Sequence, residues 1–224
     1  MTDPRKETVR AGYDEMASWF ADWSARVEGD PRDRFLSRFI ELLPPSGSVL
    51  DLGCGAGVPS TKRLAEAFQV VGADISEAQI ALARQNVPEA EFLRADMLDL
   101  DLPEASFDGI AAFYSISHVP REQHPRVFSL VRRWLRPGGV FLASLGVGDI
   151  PGWTGEWLGV PMFFSSHSAD ANRRLLEEAG LSIVRADVLS MQEPEGEATF
   201  LWVLCRTPKP GLDEGTRPTR LDRR

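Results

Sequence analysis

The amino-acid sequence predicts an α/β fold, with one mostly parallel sheet and helices on both of its faces. Three observations point there. Short apolar runs alternate with stretches of helical period, the pattern of successive β–α–β units. The run 107–113, FDGIAAF, is apolar almost throughout, as a strand covered on both faces must be. The stretch 48–60, SVLDLGCGAGVPS, reads as a buried strand, a glycine turn and a helix start. With 224 residues, 43% of them hydrophobic, the chain can bury one sizeable core, and two domains are not expected.

The elements follow in order. Residues 5–26 carry Val9, Tyr13, Met16, Phe20 and Trp23 on roughly one helical face, and Gly29-Asp30-Pro31 breaks the pattern. A second helix over 31–43 presents Phe35, Leu36, Phe39, Ile40 and Leu43 and stops at Pro44-Pro45. This pair, within 1–45, covers the sheet. In the glycine turn Gly53, Gly55 and Gly57 alternate, so the backbone can take positive φ and a ligand can lie against bare main chain. A helix over 58–68 points its free N–H groups at that ligand. The third small residue of a dinucleotide fingerprint falls at Val58, and Asp51 closes the strand. A carboxylate there repels a diphosphate but suits an ammonium or another cation.

The strand 69–73 ends in Asp74, whose carboxylate suits a ribose diol in any nucleoside cofactor. Ser76 caps a helix over 77–86. A third strand, 91–95, ends in Asp96-Met97, and the fourth, 107–113, runs into Tyr114 and His118 at the expected reversal of strand order. His118 is read either as a contact to substrate or cofactor or as a structural hydrogen-bonding group. His124 is expected to be exposed. A helix over 121–135 and the turn Arg136-Pro137-Gly138-Gly139 lead to a fifth strand, 140–145. The glycine-studded segment 146–166, with Trp153, Trp157, Phe163 and Phe164, is a substrate lid or a flap over the core. On a helical turn Trp153 and Trp157 would share one face. His167 precedes a helix over 168–179, as a packing residue or a substrate contact. Strands at 181–188 and 198–205 flank the polar loop SMQEPEGE, and residues 207–224 are expected to be disordered.

The stretch 48–60 resembles motif I of the class I S-adenosylmethionine-dependent methyltransferases, and the resemblance runs from about Tyr13 to Cys205. It implies a Rossmann-like seven-stranded sheet of order 3-2-1-4-5-7-6 with the last strand antiparallel, a domain over 1–206, and S-adenosylmethionine as cofactor. YDEMASWF resembles the segment Y-D-x-x-A-x-x-Y/F that closes over the cofactor, which places Tyr13 at its methionine end and Trp19 or Phe20 at the acceptor. Phe20 stands where a tyrosine is common, so no hydroxyl is assigned there. Asp96-Met97 resembles the pair that reads adenine, and LRPGGVFLAS the family's turn and fifth strand. The cofactor set so implied is Tyr13, Asp51, Gly53, Cys54, Gly55, Gly57, Asp74, Ile75, Asp96, Met97, Phe113, Tyr114 and His118. The acceptor set is Trp19, Phe20, Trp153, Trp157, Phe163, Phe164 and His167, with His118 and His167 as candidate catalytic groups.

Composition narrows the partners. Net charge is −8, and residues 207–224 hold five Lys/Arg against three Asp/Glu, leaving −10 on the body. Such a body does not suit a phosphate backbone, and the N/D-P-P-Y/F motif of some nucleic-acid methyltransferases is absent. Three scattered histidines and two distant cysteines make no metal set. Without an apolar run long enough for a bilayer or an apolar signal core, and with only Cys54 and Cys205, the chain is expected in a reducing cytosol. The pattern sets no oligomeric state. Together these readings point to methyl transfer to oxygen or nitrogen of a small, partly apolar molecule. Two alternatives stand beside it. One is a protein that binds S-adenosylmethionine without transferring methyl. The other is a nicotinamide oxidoreductase, which Asp51, Val58 and the absence of a Tyr-x-x-x-Lys pair oppose.

Overall fold

The computed structural model describes residues 3–209. Helix α1 (Pro4–Ser24) starts at Asp3, whose side chain accepts from the Arg5 N–H, and α2 (Arg32–Leu42) follows the turn at Gly29. Then come β1 (Ser48–Leu52), α3 (Ser60–Ala65), β2 (Gln69–Asp74), α4 (Glu77–Asn86), β3 (Glu91–Arg94) and β4 (Phe107–Ala112). Helix α5 (His124–Trp134) leads into β5 (Leu135–Gly146). A hairpin of β6 (Trp153–Trp157) and β7 (Val160–Phe164) precedes α6 (Ala169–Glu178), β8 (Ser182–Glu193) and β9 (Gly196–Arg206).

Seven strands form one sheet in the order β3-β2-β1-β4-β5-β9-β8. The first five pair in parallel; β9 runs antiparallel to both β5 and β8. This is the Rossmann-like order the family resemblance implies, with the last two numbers raised by the inserted hairpin. Among the described residues no helix is long and apolar enough to cross a membrane.

The sheet is buried on both faces, and strand alternation divides the core in two. Leu50, Leu52, Ile110 and Phe141 face α5 and α6 with Phe128 and Trp134, while Val49, Leu142 and Trp202 face α2 with Phe35 and Phe39. Helix α2 lies so close to β4 that a Cβ on Gly109 would stand 2.6 Å from the Phe39 ring.

Several expectations are corrected. The segment 146–166 holds a two-stranded hairpin, so Trp153 and Trp157 share a face through the strand period of two, not through a helical turn. The polar loop expected after 188 is strand: β8 continues to Glu193, and the connection shrinks to Pro194-Glu195. The helix expected over 58–68 is confined to Ser60–Ala65, and Arg136–Gly139 already belongs to β5. The ordered chain also runs past 206. Thr207 is buried, with its N–H on the Gly139 carbonyl at 3.0 Å and its hydroxyl on the Arg136 carbonyl at 2.7 Å. Residues 210–224 of the expected tail lie outside the described residues.

Trp202 is fully buried, stacked on Phe35 at 5.1 Å, and its indole N–H has no partner among the described residues. Trp202→Ala is expected to cost about 3–5 kcal/mol in a urea melt. Trp202→Phe should cost less, because it removes a buried N–H that makes no hydrogen bond.

Candidate active site

The carboxyl ends of β1 and β4 meet where the strand order reverses, the place for a ligand in an open parallel sheet. Gly53 lies there at φ +73°, and a Cβ on it would stand 2.2 Å from that of Ser115. The Ser115 hydroxyl donates to the Leu52 carbonyl at 2.7 Å, and Gly53 and Cys54 donate N–H groups to the Ala73 carbonyl. The turn is therefore tied to the ends of β2 and β4 together.

Around it opens a cavity of about 700 Å³. One half is polar, and its carboxylates are held in place. Asp74 accepts from the N–H groups of Gly55 and Ser76, both at 2.9 Å; burial nevertheless pushes its pKa up. Asp51 accepts from the Thr61 hydroxyl at 2.6 Å, and burial raises its pKa to about 6 against that bond. Asp96 accepts from the Leu98 N–H and pairs with Lys6 at 2.5 Å. The Gln79 amide and Ser60 hydroxyl line this half, buried and without partners among the described residues.

Helix α1 closes the cavity from above. Asp14 accepts from the Ser76 hydroxyl and the Ala78 N–H at the start of α4. Tyr13 meets His118 Nε2 at 2.9 Å, and His118 Nδ1 meets the Phe163 carbonyl at 3.0 Å. A carbonyl only accepts, so Nδ1 carries the proton and Nε2 accepts from the Tyr13 hydroxyl. Burial pushes the His118 pKa down to about 4, so the ring is neutral at pH 7.

The other half is largely aromatic. Phe20, Trp23, Trp157 and Phe164 form a continuous wall, with ring centroids 5.3–6.1 Å apart. Tyr114 and Phe200 also line this half, with centroids 4.8 Å apart. Arg32 lies over the Tyr114 ring at 4.9 Å and pairs with Asp30 at 3.3 Å, and its buried Nε has no partner among the described residues.

The cavity gathers most of the residues singled out from the sequence: Tyr13, Asp51, Gly53, Cys54, Gly55, Asp74, Ile75, Asp96, Met97, Phe113, Tyr114 and His118, with Phe20, Trp153, Trp157 and Phe164. Four others lie elsewhere. Gly57 faces Val87 and Ala83 and shapes the turn from behind. Trp19 is on the outer side of α1, more than a third exposed. The Phe163 ring is buried with Val9, Met16 and Met162; only its carbonyl reaches the site, through His118. His167 donates from Nε2 to the Arg121 carbonyl at 3.1 Å, outside the cavity, and so is removed as a catalytic candidate. His124, expected at the surface, is buried and donates to the Val119 carbonyl.

Sequence reasoning missed Lys6, Arg32, Gln79 and Glu193. Lys6 stands two helical turns before Tyr13 and Gln79 three residues after the Ser76 cap, so spacing could have found both. Arg32 and Glu193 carry no local signal.

A family model described as a methyltransferase domain matches residues 49–139. The chain is 31% identical to the 27-O-demethylrifamycin SV methyltransferase of Amycolatopsis mediterranei over 215 residues, which cover 86% of this chain and 72% of that protein. The chain belongs to the class I S-adenosylmethionine-dependent methyltransferases. It is likewise 31% identical to the O-methyltransferase cnsE of Penicillium expansum, over 86% of this chain and 71% of the relative. Among solved structures, the 1,6-didemethyltoxoflavin-N1-methyltransferase of Burkholderia thailandensis shares the fold at a TM-score of 0.68 and 21% identity, covering 93% of this chain and 92% of its own.

The cavity of this methyltransferase is chemically matched to S-adenosylmethionine. Its polar half offers carboxylates and an orphaned amide for hydroxyl and amino groups, and no lysine or arginine within the glycine turn to balance a diphosphate.

The His118 proton assignment is testable. Its pKa is lower in the folded chain than unfolded, so the stability it contributes is complete above pH 6.5 and falls as pH drops toward 4. The stability gap between wild type and His118→Gln should therefore shrink from pH 7 to pH 4.5 in denaturant melts. A gap that widens would contradict a buried neutral ring.

Proposed function

We propose that this methyltransferase methylates an oxygen or nitrogen of a small, partly apolar acceptor bound against the aromatic wall. The observation that supports this most directly is the division of one cavity into a polar and an aromatic half that meet at Tyr13 and His118. Bound S-adenosylmethionine supplies a methyl group on a sulfonium, already activated for in-line displacement.

The chain's own residues bind and align. Asp74, with Gln79 beside the turn, receives the ribose hydroxyls; Asp96 and Met97 receive the adenine, with Lys6 closing over them. Asp51, Arg32 and the glycine turn take the amino-acid end, where the free Arg32 Nε suits a carboxylate. Tyr13 keeps its oxygen lone pairs toward the cavity because its proton is given to His118. His118 is then a positioning residue: both ring nitrogens are engaged and its depressed pKa makes it a poor base. Alignment can supply roughly 7–11 kcal/mol, more than the 10²–10⁴-fold, about 3–5 kcal/mol, of a general base. The hairpin β6–β7 acts as the lid over a domain spanning 1–206. The acidic body favours a small acceptor over a nucleic acid, and the free thiols of Cys54 and Cys205 suit a reducing cytosol.

Calorimetry tests the cofactor half. S-adenosylmethionine and S-adenosylhomocysteine should bind in the micromolar range, roughly −8 kcal/mol. Asp74→Ala should weaken this by about 1.5–3 kcal/mol, the cost of a lost charged hydrogen-bond acceptor. Heat from NAD and none from S-adenosylmethionine would overturn the assignment.

The lid is tested once an acceptor is found by screening metabolites for a mass gain of one methylene and release of S-adenosylhomocysteine. Binding of the cofactor without any such turnover would favour the non-methylating alternative. The double variant Trp153→Ala, Trp157→Ala should raise KM or lower kcat for the acceptor and leave cofactor affinity unchanged. A collapsed melt with normal acceptor kinetics in the folded fraction would make the hairpin a core flap instead.

A further inference from the structure

Nearly every carboxylate and imidazole lining the cavity is engaged by the protein itself. Asp51 is held by Thr61, Asp74 by two backbone N–H groups, and Asp96 by Lys6 and Leu98. Asp30 accepts from the Tyr114 hydroxyl at 2.7 Å and pairs with Arg32, and His118 bridges Tyr13 and Phe163. Glu193 is the exception. It lies at the end of β8 and lines the cavity. Among the described residues its carboxylate has no ion-pair partner within 4.0 Å. Its neighbour Glu195, by contrast, accepts from the Trp23 indole N–H at 2.9 Å.

Glu193 is in an environment that disfavours its charge. It is partly buried, with Glu195 and Asp30 adding like charge, and all three effects push its pKa up. The rings of Phe20, Trp23, Trp157 and Phe164, whose faces attract cations, line the same cavity, and the Trp23–Glu195 hydrogen bond joins their wall to the β8–β9 turn two residues from Glu193. A neutral acceptor would displace water from Glu193 and leave it uncompensated; an anionic one would add repulsion. A cation meets the carboxylate and the rings together. The Arg32 guanidinium does not fill this role, because Asp30 already neutralises it.

We propose that the acceptor carries a basic nitrogen, protonated when it binds, that seats against Glu193 at the aromatic end of the cavity. This rests on the reading of that end as the acceptor site. It assigns Glu193 as a specificity-determining residue and the acceptor as an amine on an apolar scaffold.

The test uses three probes on one skeleton: 2-phenylethylamine, 2-phenylethanol and 3-phenylpropionate. Each is titrated calorimetrically into the full chain saturated with S-adenosylhomocysteine. The amine should bind about tenfold or more tighter than the alcohol, the gain of one charged hydrogen bond, and the carboxylate weakest of all. Glu193→Gln should erase the preference while S-adenosylhomocysteine affinity stays as in wild type and the melting midpoint is no lower, since a disfavoured charge is removed. A preference for the carboxylate, no preference among the three, or a preference for the amine that survives in Glu193→Gln overturns the proposal. Failure of S-adenosylhomocysteine itself to bind is a separate result, and it overturns the cofactor reading instead.

Discussion

The site depends on two loops touching where only bare backbone fits. Gly53 and Ser115 follow the neighbouring strands β1 and β4, and a Cβ on Gly53 would overlap that of Ser115. With no side chain there, the Ser115 hydroxyl reaches the Leu52 carbonyl and locks the two strand ends together. The turn then leans the other way, giving the Gly53 and Cys54 N–H groups to Ala73 and the Gly55 N–H to Asp74. One glycine thus fixes the distance between the polar half of the cavity, built on β2 and β3, and the aromatic half beyond β4.

Closure of the cavity rests on a second chain of contacts that links three segments distant in sequence. Tyr13 on α1 donates to His118 after β4, and His118 donates to Phe163 in the β6–β7 hairpin. The Phe163 carbonyl requires the proton on Nδ1; burial keeps the ring neutral, and Nε2 then accepts from the Tyr13 hydroxyl. The helix, the loop and the hairpin are therefore held by one imidazole whose chemistry is spent on position. Asp14 anchors the same helix to α4, so α1 is fixed over both halves at once.

The sequence made the sheet legible because four of its five parallel strands, β1 to β4, lead to a chemically marked residue at or near their carboxyl ends: Asp51, Asp74, Asp96 and Tyr114. The same marks placed the polar half of the cavity. The segment 146–166 was legible as an insertion but not as a hairpin, since Trp153 and Trp157 at a spacing of four satisfy both the helical and the strand period. The polar stretch after residue 188 read as a loop because its side chains are hydrophilic. It is strand because its backbone completes the ladder with β9, through pairs such as Ser190 with Thr199. That extension carries Met191 and Glu193 to the cavity, and nothing local in the sequence foretells it. His167 misled for the opposite reason. It borders the hairpin in sequence, but its ring is held by the Arg121 carbonyl and does not line the cavity.

The charge of the cavity explains why this glycine turn serves a different nucleoside from the dinucleotides that similar turns hold. Asp51 and Asp74 stand around it, held by a hydroxyl and by N–H groups with no ion-pair partner within 4.0 Å among the described residues, so negative charge is in place before any ligand arrives, whereas Asp96 is paired with Lys6. A pyrophosphate would add two negative charges to that field. A sulfonium with an ammonium beside it adds two positive ones. Ligand selection here follows from the sign of the field. The burial that raises the pKa values of Asp51 and Asp74 is the same burial that makes a cationic ligand favourable, because a charge in a dry site is stabilised by its complement more than by water it no longer touches.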